Sequence, residues 1–518
     1  MIRTPKFIVS ALLILAMGAY VAFNGKAQKL SKVKTQEEYW ADTGLTAQPL
    51  EELLQEGSCK SSEHYFLACM NAVLTVAQKY GFDVSHEGHV VPLSKSASQI
   101  TTEKQLLAPW KAFISTQKTV PAFPFLEVWK ELAGKASKKG QLSLAVGVGM
   151  NGFLSVFRDP HTYLLPADFY NEVVAKANHK SISVGIVMGR DDKHYFIKKV
   201  LENSSAQAAG LKKGDVLVSV GPQRADGLTP YQLGDALKGD EGSNLKMTVL
   251  RQGKVQFVSL IRSEKTLPAV SSQVIEGIKP VGVLTINKFA VDTCSQTRAT
   301  LQSLEMQDIR GLLLDLRDNP GGQMEEAACV VSLFIGPGKK IYQVKSLVDG
   351  AEEEPVFGHE TQAYKGPVAV LINSGSASAS EIVAGALQDY KRAVLVGEKS
   401  FGKGSFQEGE LWSKNDKVAI FQTKGFYYLP SGRTPQMTGL EPDVKVNFKD
   451  RFALREEDQF LNPLRAPSLK DIAAPAAKKA TDLSACIDFE EEFLPPEDPE
   501  MKEGHRVLNC RNIAEWGQ

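Results

Sequence analysis

The chain has 518 residues, and its 60 basic and 60 acidic side chains balance to zero formal charge. At about 150 residues per domain this length predicts three or four domains, and the balanced charge offers no broad positive field for a nucleic-acid backbone. With 43% hydrophobic and 23% charged residues the composition excludes collagen-like and wholly disordered chains, and six cysteines are too few for a disulfide scaffold.

The N-terminal region contains an uncharged apolar run over residues 7–23, preceded by two basic side chains. At 17 residues, the run is longer than many signal-peptide cores and reaches the lower limit for a membrane-spanning helix. Ala22 and Ala27 are candidate cleavage positions. We expect residues 1–28 to act as a signal peptide or as a membrane anchor, outside the fold, with the rest of the chain exported.

The cysteines suit an exported protein. Four of them form two local pairs, Cys59 with Cys69 and Cys486 with Cys510. Each pair could close a disulfide in an oxidising compartment, and the alternative is four unpaired thiols. Cys294 and Cys329 lie in apolar stretches and are expected in the core. Apart from His64, a weak signal beside the Cys59 and Cys69 pair, no cysteine or histidine spacing indicates a zinc site.

The chain changes its periodicity twice. Residues 29–175 form a helical N-terminal region, with helical patterns clearest over 51–54, 65–80 and 125–133. Residues 181–266 then follow a pattern of short strands separated by Gly and Asn turns, interrupted by one helix.

The second half predicts layered α/β structure. Residues 270–448 alternate apolar strands with helices, the pattern of an α/β core. Residues 449–518 are rich in Ala, Pro, Lys and Glu, and we expect a loosely ordered C-terminal extension there.

The strand block carries the motifs of a peptide-binding module. They are Ser183-Val184-Gly185-Ile186, the helix–turn–strand sequence at 205–217, and the turn at 237–242. These resemble a PDZ domain of the bacterial, circularly permuted type, which adds a peptide strand to a sheet edge and holds its carboxylate on loop amides. The resemblance implies that the first motif is the carboxylate loop, although Ser183 replaces the usual glycine. The alternative is a β-domain that serves only as a spacer.

Two glycine motifs are similar to nucleotide-binding motifs, but the residues around each motif do not suit a nucleotide site. The G-x-G-x-x-G at 147–152 follows a poor strand and precedes a charged turn, unlike a dinucleotide site. The G-x-x-x-x-G-K at 397–403 is followed by Gly404, where a phosphate loop needs Ser or Thr to hold magnesium.

The serine-rich segment at 374–380 lies between an apolar strand, 366–373, and an apolar helix, 382–387. Small residues at such a strand end admit a substrate backbone, and the helix N-terminus offers unpaired N–H groups to a developing oxyanion. On its own the segment favours a serine-rich capping turn. Lys403 and Gln407 follow the next strand, and a neutral lysine can activate a serine. Lowering the lysine pKa by about 3 units costs about 4 kcal/mol, which burial can supply.

Several motifs in order give a family resemblance. They are Arg158-Asp159-Pro160-His161-Thr162 before the strand block, Asp315 to Gly322, Ser376 to Ile382, Phe401 to Gln407, and the closing segments at 428–433 and 439–443. Together they closely resemble the carboxy-terminal processing proteases, also called tail-specific proteases, which are serine peptidases with a Ser–Lys dyad. Residues 434–438 depart from the usual Ile-Gln-Gly run.

The resemblance implies a role for each matching residue. Ser378 is the nucleophile, Lys403 the general base, and Gln407 orients the lysine amine. The oxyanion hole uses the N–H of Ala379 with that of Gly321 or Gly322. His161 is expected to be a structural turn residue.

We therefore expect an α/β multidomain protein in which an α/β protease core carries an inserted PDZ domain and a helical N-terminal region. It acts as an exported serine endopeptidase of the bacterial periplasm or the outer face of the cytoplasmic membrane, and it cleaves envelope proteins by an acyl-enzyme mechanism after binding their C-terminal tails. No metal, organic cofactor or nucleic acid is implied. Partners are unfolded or tail-bearing substrates, with an adaptor or a second copy as further partners. The alternative is a PDZ adaptor with an inactive protease fold.

Overall fold

The computed structural model describes residues 7–9, 34–94, 102–176, 179–190, 194–201, 203–228, 230–237, 239–276, 280–347, 355–446, 455–467 and 498–509. The fold comprises a helical N-terminal unit, a small β-domain and a layered α/β core. Cys486, Cys510 and most of the apolar N-terminal run lie outside the described residues.

The N-terminal unit packs its helices around α4 and α7. Its elements are β1 (Phe7–Val9), α1 (Gln36–Asp42), α2 (Gln48–Leu53), α3 (Glu56–Cys59), α4 (Glu63–Lys79), β2 (Phe82–Val84), β3 (Val90–Pro92), α5 (Glu103–Ser115), α6 (Phe125–Ser137) and α7 (Leu142–Phe157). The glycine motif at 147–152 lies inside α7, where a Cβ on Gly152 would come within 2.8 Å of the Asn71 carbonyl oxygen. These glycines serve close packing of α4 on α7 and form no phosphate loop.

The small β-domain follows a short connecting segment. Its elements, with that segment, are β4 (Tyr163–Pro166), α8 (Ala167–Phe169), a π-helical turn (Tyr170–Val174), β5 (His179–Ser183), β6 (Ile186–Arg190), β7 (Tyr195–Val200), α9 (Ser205–Ala208), β8 (Val216–Val220), β9 (Gln223–Arg224), a 3-10 turn (Ala225–Gly227), α10 (Pro230–Leu237), β10 (Asn244–Arg251), β11 (Lys254–Ile261) and β12 (Ser263–Leu267). The sheet runs β11-β10-β8-β7-β6, and β5 pairs with β12 where the chain enters and leaves.

The core contains two sheets. Its elements are β13 (Val270–Ile275), β14 (Val281–Ile286), α11 (Thr293–Glu305), β15 (Gly311–Asp315), α12 (Met324–Ile335), β16 (Lys340–Ser346), β17 (Pro355–Phe357), β18 (Val368–Ile372), α13 (Ala379–Asp389), β19 (Val394–Gly397), β20 (Ser405–Trp412), β21 (Asn415–Tyr428), β22 (Val444–Lys445), α14 (Glu456–Gln459) and α15 (Pro499–Leu508). The main sheet, β13-β14-β15-β18-β19-β22, is parallel from β14 onward.

Alternation along the buried strands separates two apolar layers. Leu312 and Leu314 of β15 face α11, α12 and α13 together with the second sheet, whereas Leu313 faces the opposite side, where α15 packs. Since successive side chains of a strand point to opposite faces, both faces of this sheet are covered. The loops after β15, β18 and β19 therefore meet at one edge of the sheet, where ligands bind in open parallel sheets.

The C-terminal region is more ordered than its composition predicts. Residues 455–467, which we call the C-terminal strap, carry a Glu456 that is 0% exposed, and Phe460 is buried beside it. Helix α15 covers the main sheet, and Arg317 binds Asp498 and Glu500 at its start. The expectation of a loosely ordered extension is thus wrong for these two segments, because the core offers each a complementary apolar surface and a buried polar partner.

Two disulfides are present among the described residues. Cys59–Cys69 joins α3 to α4 and is one of the two predicted pairs. Cys294–Cys329 joins α11 to α12 across a sequence separation of 35. The two cysteines expected as separate core residues are therefore bonded to each other, because the α/β layering brings α11 and α12 side by side.

Residues 7–9 take part in the fold, contrary to the expectation that everything before residue 29 lies outside it. Strand β1 pairs antiparallel with β20, opposite Gln407, Glu408 and Gly409. Within the described parts of the chain, every helix is too short or too polar to cross a membrane.

Candidate active site

The loop between β18 and α13 holds Ser378 in a strained conformation. Ser378 has φ 57°, a left-handed value that is rare for a serine, and its side chain is fully buried. Such strain persists where the surrounding structure imposes it, which is common at functional sites.

The hydroxyl groups distinguish Ser378 from its neighbours. Ser376 Oγ donates to the Leu316 carbonyl oxygen at 2.8 Å, and Ser380 Oγ donates to the Asn319 carbonyl oxygen at 2.9 Å. Ser378 Oγ, by contrast, has no hydrogen-bond partner in the described structure. A buried hydroxyl without a partner costs free energy, so its retention points to a function.

Lys403 lies in the loop between β19 and β20 and is also fully buried. Its Nζ donates to Gln407 Oε1 at 2.7 Å and to the Ser405 carbonyl oxygen at 3.0 Å. Burial lowers the pKa of Lys403 from 10.5 to about 8, and nearby carboxylates of Glu456, Asp159 and Glu381 oppose that shift. The neutral form of the amine is thus far more populated near physiological pH than it is for an exposed lysine, although the ammonium still predominates.

Glu381 joins the serine loop to the lysine loop. One carboxylate oxygen accepts the N–H groups of Ser378 at 2.8 Å and Lys403 at 2.9 Å. The other accepts Ser400 Oγ at 2.5 Å and the Gly402 N–H at 2.9 Å. Burial raises the pKa of Glu381 to about 7, although these donors favour its ionised form.

Tyr427 provides a second link between the two loops. Its hydroxyl lies 3.1 Å from the Ser378 carbonyl oxygen and 2.9 Å from that of Lys403. The two loops therefore share one carboxylate and one phenol, which fix them side by side.

The glycine loop after β15 lies against the serine loop. A Cβ on Gly321, which has φ 102°, would come within 2.8 Å of Ser378 Cβ and 3.0 Å of the Ala379 nitrogen. Only glycine allows this approach. The Gly321 N–H donates to Asn319 Oδ1 at 2.9 Å, and for the N–H groups of Ala379 and Gly322 the described structure gives no acceptor. Gly321 is thus adjacent to Ala379, and Gly322, the next residue, is the one of the two glycines whose N–H has no acceptor in the described structure.

The turn at 158–162 contacts the lysine side of the site. Asp159 Oδ1 accepts the Thr423 hydroxyl at 2.7 Å, and Thr423 Oγ1 accepts Gln407 Nε2 at 3.1 Å. His161 Nε2 lies 3.2 Å from Glu456 Oε1, and both side chains are buried. The turn therefore borders the site, where the sequence predicted a structural role only.

The C-terminal strap covers the site. Phe460 packs with Ala377 and Phe401, which flank Ser378 and Lys403 in sequence. Gln436 Oε1 accepts the Gly404 N–H at 2.7 Å, and Gln436 Nε2 donates to Glu456 Oε1 at 2.9 Å. Gln436 belongs to the segment 434–438, which departs from the family pattern, and it connects this segment to the C-terminal strap.

In the PDZ-like loop, one of the backbone N–H groups that the resemblance assigns to carboxylate binding already has a partner within the loop. Gly185 has φ 84° and its N–H donates to Ser183 Oγ at 3.2 Å, while Val184 is buried in the domain core. Ile186 opens β6 and is half-buried. The serine that replaces the usual glycine thus occupies one loop amide that a carboxylate would use.

The described residues contain one group with metal-ligand spacing, Cys329, His359 and Glu360, within 4.8 Å of one another. The Cys329 sulfur is bonded to Cys294 and cannot serve as a thiolate ligand. This group therefore does not fit a metal ion.

Comparison with known proteins agrees with the fold. Residues 280–446 match the model of peptidase family S41, and residues 172–250 match the PDZ domain model. The fold is thus that of an S41 protease with a PDZ domain and an N-terminal helical region. The chain is 31% identical over 304 residues to the carboxy-terminal-processing protease of Bartonella bacilliformis, covering 57% of this chain and 68% of that one. The protein belongs to the carboxy-terminal-processing proteases.

Other similarities are more distant. The "Probable CtpA-like serine protease" of Staphylococcus haemolyticus is 27% identical over 60% of this chain and 61% of its own length. The chain thus spans about three fifths of that relative. The solved photosystem II D1 C-terminal processing protease is 24% identical, with a TM-score of 0.43, over 65% of this chain and 88% of that chain.

Proposed function

We propose that the protein is an exported serine endopeptidase in which Ser378 attacks the peptide bond and Lys403 is the general base. The observation that carries the proposal is that the loop with the buried Ser378 hydroxyl, which has no hydrogen-bond partner in the described structure, is joined through Glu381 and Tyr427 to the loop of Lys403, a buried lysine whose pKa is about 8. A lysine with an ordinary pKa would be charged and could not accept the serine proton.

The chemistry follows from this pairing. The Lys403 amine takes the Ser378 proton as Oγ bonds to the scissile carbonyl carbon, and the oxyanion accepts the N–H of Ala379 and of Gly322 or Gly321. Collapse breaks the C–N bond, the Lys403 ammonium protonates the leaving amine, and an acyl-enzyme on Ser378 remains. Water activated by the same amine then releases the acid and restores the serine.

The PDZ domain would supply substrate recognition. A peptide strand added to the sheet edge, with its carboxylate at the loop 183–186, would hold a tail while an upstream bond meets Ser378. Lys198 of β7 forms an ion pair of 2.5 Å with Asp318 of the glycine loop, which connects the two units. We infer that the physiological substrates are proteins with accessible C-terminal tails.

Export is supported by the disulfides. Cys59–Cys69 and Cys294–Cys329 are stable in an oxidising compartment such as the periplasm and rare in the cytosol. Together with the apolar run at 7–23 they favour a location on the outer side of the cytoplasmic membrane. Thiol mapping of protein from the native envelope is expected to find these four cysteines oxidised, and free thiols at all four would contradict export.

The catalytic proposal is tested with an unfolded reporter protein and mass spectrometry of its fragments. Cleavage should be abolished, without loss of folding, in Ser378→Ala and in Lys403→Ala. Lys403→Arg should be equally inactive, because guanidinium does not give up its proton. Ser374→Ala and Lys399→Ala, in the same loops, are matched controls that should cleave normally. Cleavage by Lys403→Arg would overturn the general-base role, and a folded wild type that binds tails without cutting them would identify an adaptor.

A further inference from the structure

A chain of hydrogen bonds leads from Lys403 to a carboxylate that the reaction does not touch. Lys403 Nζ donates to Gln407 Oε1 at 2.7 Å, Gln407 Nε2 donates to Thr423 Oγ1 at 3.1 Å, and Thr423 Oγ1 donates to Asp159 Oδ1 at 2.7 Å. Asp159 also accepts the His161 N–H at 2.9 Å and Thr162 Oγ1 at 2.7 Å. The carboxylate is buried, so three donors hold it in place.

The chemistry of the carboxylate sets the direction of every bond in this chain. An ionised Asp159 can only accept, so the Thr423 hydroxyl must donate its proton to it. The Thr423 oxygen then has only lone pairs left, and it can meet only a donor from Gln407. The Gln407 amide must therefore turn its NH₂ to Thr423 and its oxygen to Lys403, which settles an orientation that an isolated amide leaves open.

This orientation decides where the lone pair of Lys403 is available. A neutral amine has two N–H donors and one lone pair, and the donors bind Gln407 Oε1 and the Ser405 carbonyl oxygen. The lone pair is then left for the Ser378 proton. If the amide were reversed, its NH₂ would face the amine and compete for that lone pair.

We propose that Asp159 and Thr423 are positioning residues of the Ser378–Lys403 site: they fix the Gln407 amide and thereby keep the lysine lone pair available to the serine. The proposal rests on the proposed function. It gives the aspartate of the turn at 158–162 a role in catalysis that acts through Gln407. Glu381 and Glu456 are the other carboxylates facing Lys403, and neither contacts Gln407 in the described structure.

The first test compares Thr423→Val with Thr423→Ser. Valine keeps the shape of the side chain but removes the hydroxyl. The remaining partner of the Gln407 NH₂ is the Ser405 hydroxyl at 3.2 Å, which can donate as well as accept, so the amide can reverse. We expect kcat to fall about 10- to 100-fold with KM within twofold, and Thr423→Ser to restore most of the loss. Gln422→Val, the adjacent position on β21, is the matched control and should leave kcat unchanged.

The pH profile separates positioning from general weakening. An amide NH₂ facing Lys403 disfavours the ammonium, so the acid limb of kcat should move to lower pH in Thr423→Val. Asp159→Asn, whose NH₂ can donate to Thr423 and reverse the whole chain, should shift it in the same direction. A structural defect would lower kcat without moving this limb, and that result would overturn the proposal.

A double variant tests whether the effect passes through Gln407. In a Gln407→Ala background, Thr423→Val should cause no further loss, whereas independent effects would multiply and refute the proposal. The Lys403 pKa can also be followed by NMR of its labelled amine in Ser378→Ala protein. It should be lower in Thr423→Val and unchanged in Thr423→Ser, and this readout holds even if the wild type fails to cleave, which alone would contradict the proposed function.

Discussion

The protease site and the PDZ-like loop differ in how deeply their polar groups are buried and in how these groups are hydrogen-bonded. At the protease site Lys403, Gln407 and Glu381 are fully buried and each has named partners, while the Ser378 hydroxyl has none in the described structure. In the loop at 183–186 the residues are half-buried or part of the domain core, and the Ser183 hydroxyl binds a loop amide.

The difference teaches how each site is prepared for its ligand. Exclusion of water strengthens every interaction at the protease site and shifts the pKa of Lys403 to about 8. In the PDZ-like loop the Gly185 amide binds the Ser183 hydroxyl, which a ligand would have to replace. Chemistry is thus fixed by the structure in advance, whereas recognition exchanges one weak hydrogen bond for another.

The largest effect is expected from Lys403→Met. This change should lower kcat/KM by at least about 10⁴-fold. It should also stabilise the protein below pH 8, because the buried ammonium is disfavoured by about 3 kcal/mol relative to the neutral amine. As pH rises from 8 to 10.5 the folded wild type has already lost the proton that the unfolded chain still binds.

The stabilisation should therefore shrink over that range. Chemical denaturation of both proteins at pH 6 and pH 10.5 measures it. If the difference in unfolding free energy between the two proteins is the same at both pH values, burial does not disfavour the charged form of Lys403.

Removal of Cys294–Cys329 should lower the stability of the protease core but not that of the PDZ domain. Loop closure over its separation of 35 residues is worth about 3.8 kcal/mol, against about 2.7 kcal/mol for Cys59–Cys69 with its separation of 10. The chain between residues 181 and 266 contains no cysteine. Double Cys→Ser variants followed by calorimetry should lower the transition of the protease core and leave that of the PDZ domain in place; a uniform shift would indicate a single cooperative unit.

Glu381→Gln should cost about 100-fold in kcat, because an amide has one acceptor oxygen for the four donors that Glu381 binds, so its NH₂ would face either the Gly402 N–H or the N–H groups of Ser378 and Lys403. Glu410→Gln, on the exposed side of β20, is the control. Lys403 at about pKa 8 and Glu381 at about 7 must both be deprotonated for activity. On the acid side, kcat/KM should therefore fall by more than tenfold per pH unit below pH 7. A fall of only tenfold per pH unit would show that the ionisation of Glu381 does not affect activity.

The smallest effect is expected at Ser183. Ser183→Ala frees the Gly185 amide, so a peptide with a free C-terminal carboxylate should bind the Ser378→Ala protein more tightly by about 0.5–1.5 kcal/mol. Calorimetric titration with the free acid and the matching C-terminal amide measures the gain. If both peptides gain equally, the loop does not read the carboxylate.

The sequence predicted the parts of the site that lie on short motifs. Ser378, Lys403 and the glycine loop each follow a strand of the parallel sheet, so the order of elements is enough to bring them to one edge. Gln407 lies four residues after Lys403, near the start of β20. The neighbouring helices were predicted where their apolar stripes were clear. Helix α7 was not, because its glycines serve packing against α4.

The remaining features depend on tertiary contacts that no local pattern contains. Thr423 meets Asp159 across a separation of 264 residues. The partner of Cys294 is set by the packing of α11 on α12. Phe460 is one of few apolar residues in a charged segment, and its burial needs a surface formed by Ala377 and Phe401. Composition therefore predicted disorder where the finished core provides order.

The C-terminal strap also sets the order in which the enzyme is completed during synthesis. A chain leaves the ribosome from its N-terminus, and its domains fold largely as units. Ser378 and Lys403 emerge well before Glu456 and Phe460, so the last carboxylate near the lysine and the aromatic cover arrive after the catalytic loops. A nascent chain therefore lacks this carboxylate and this aromatic cover until residues 455–467 can pack against the loops of Ser378 and Lys403.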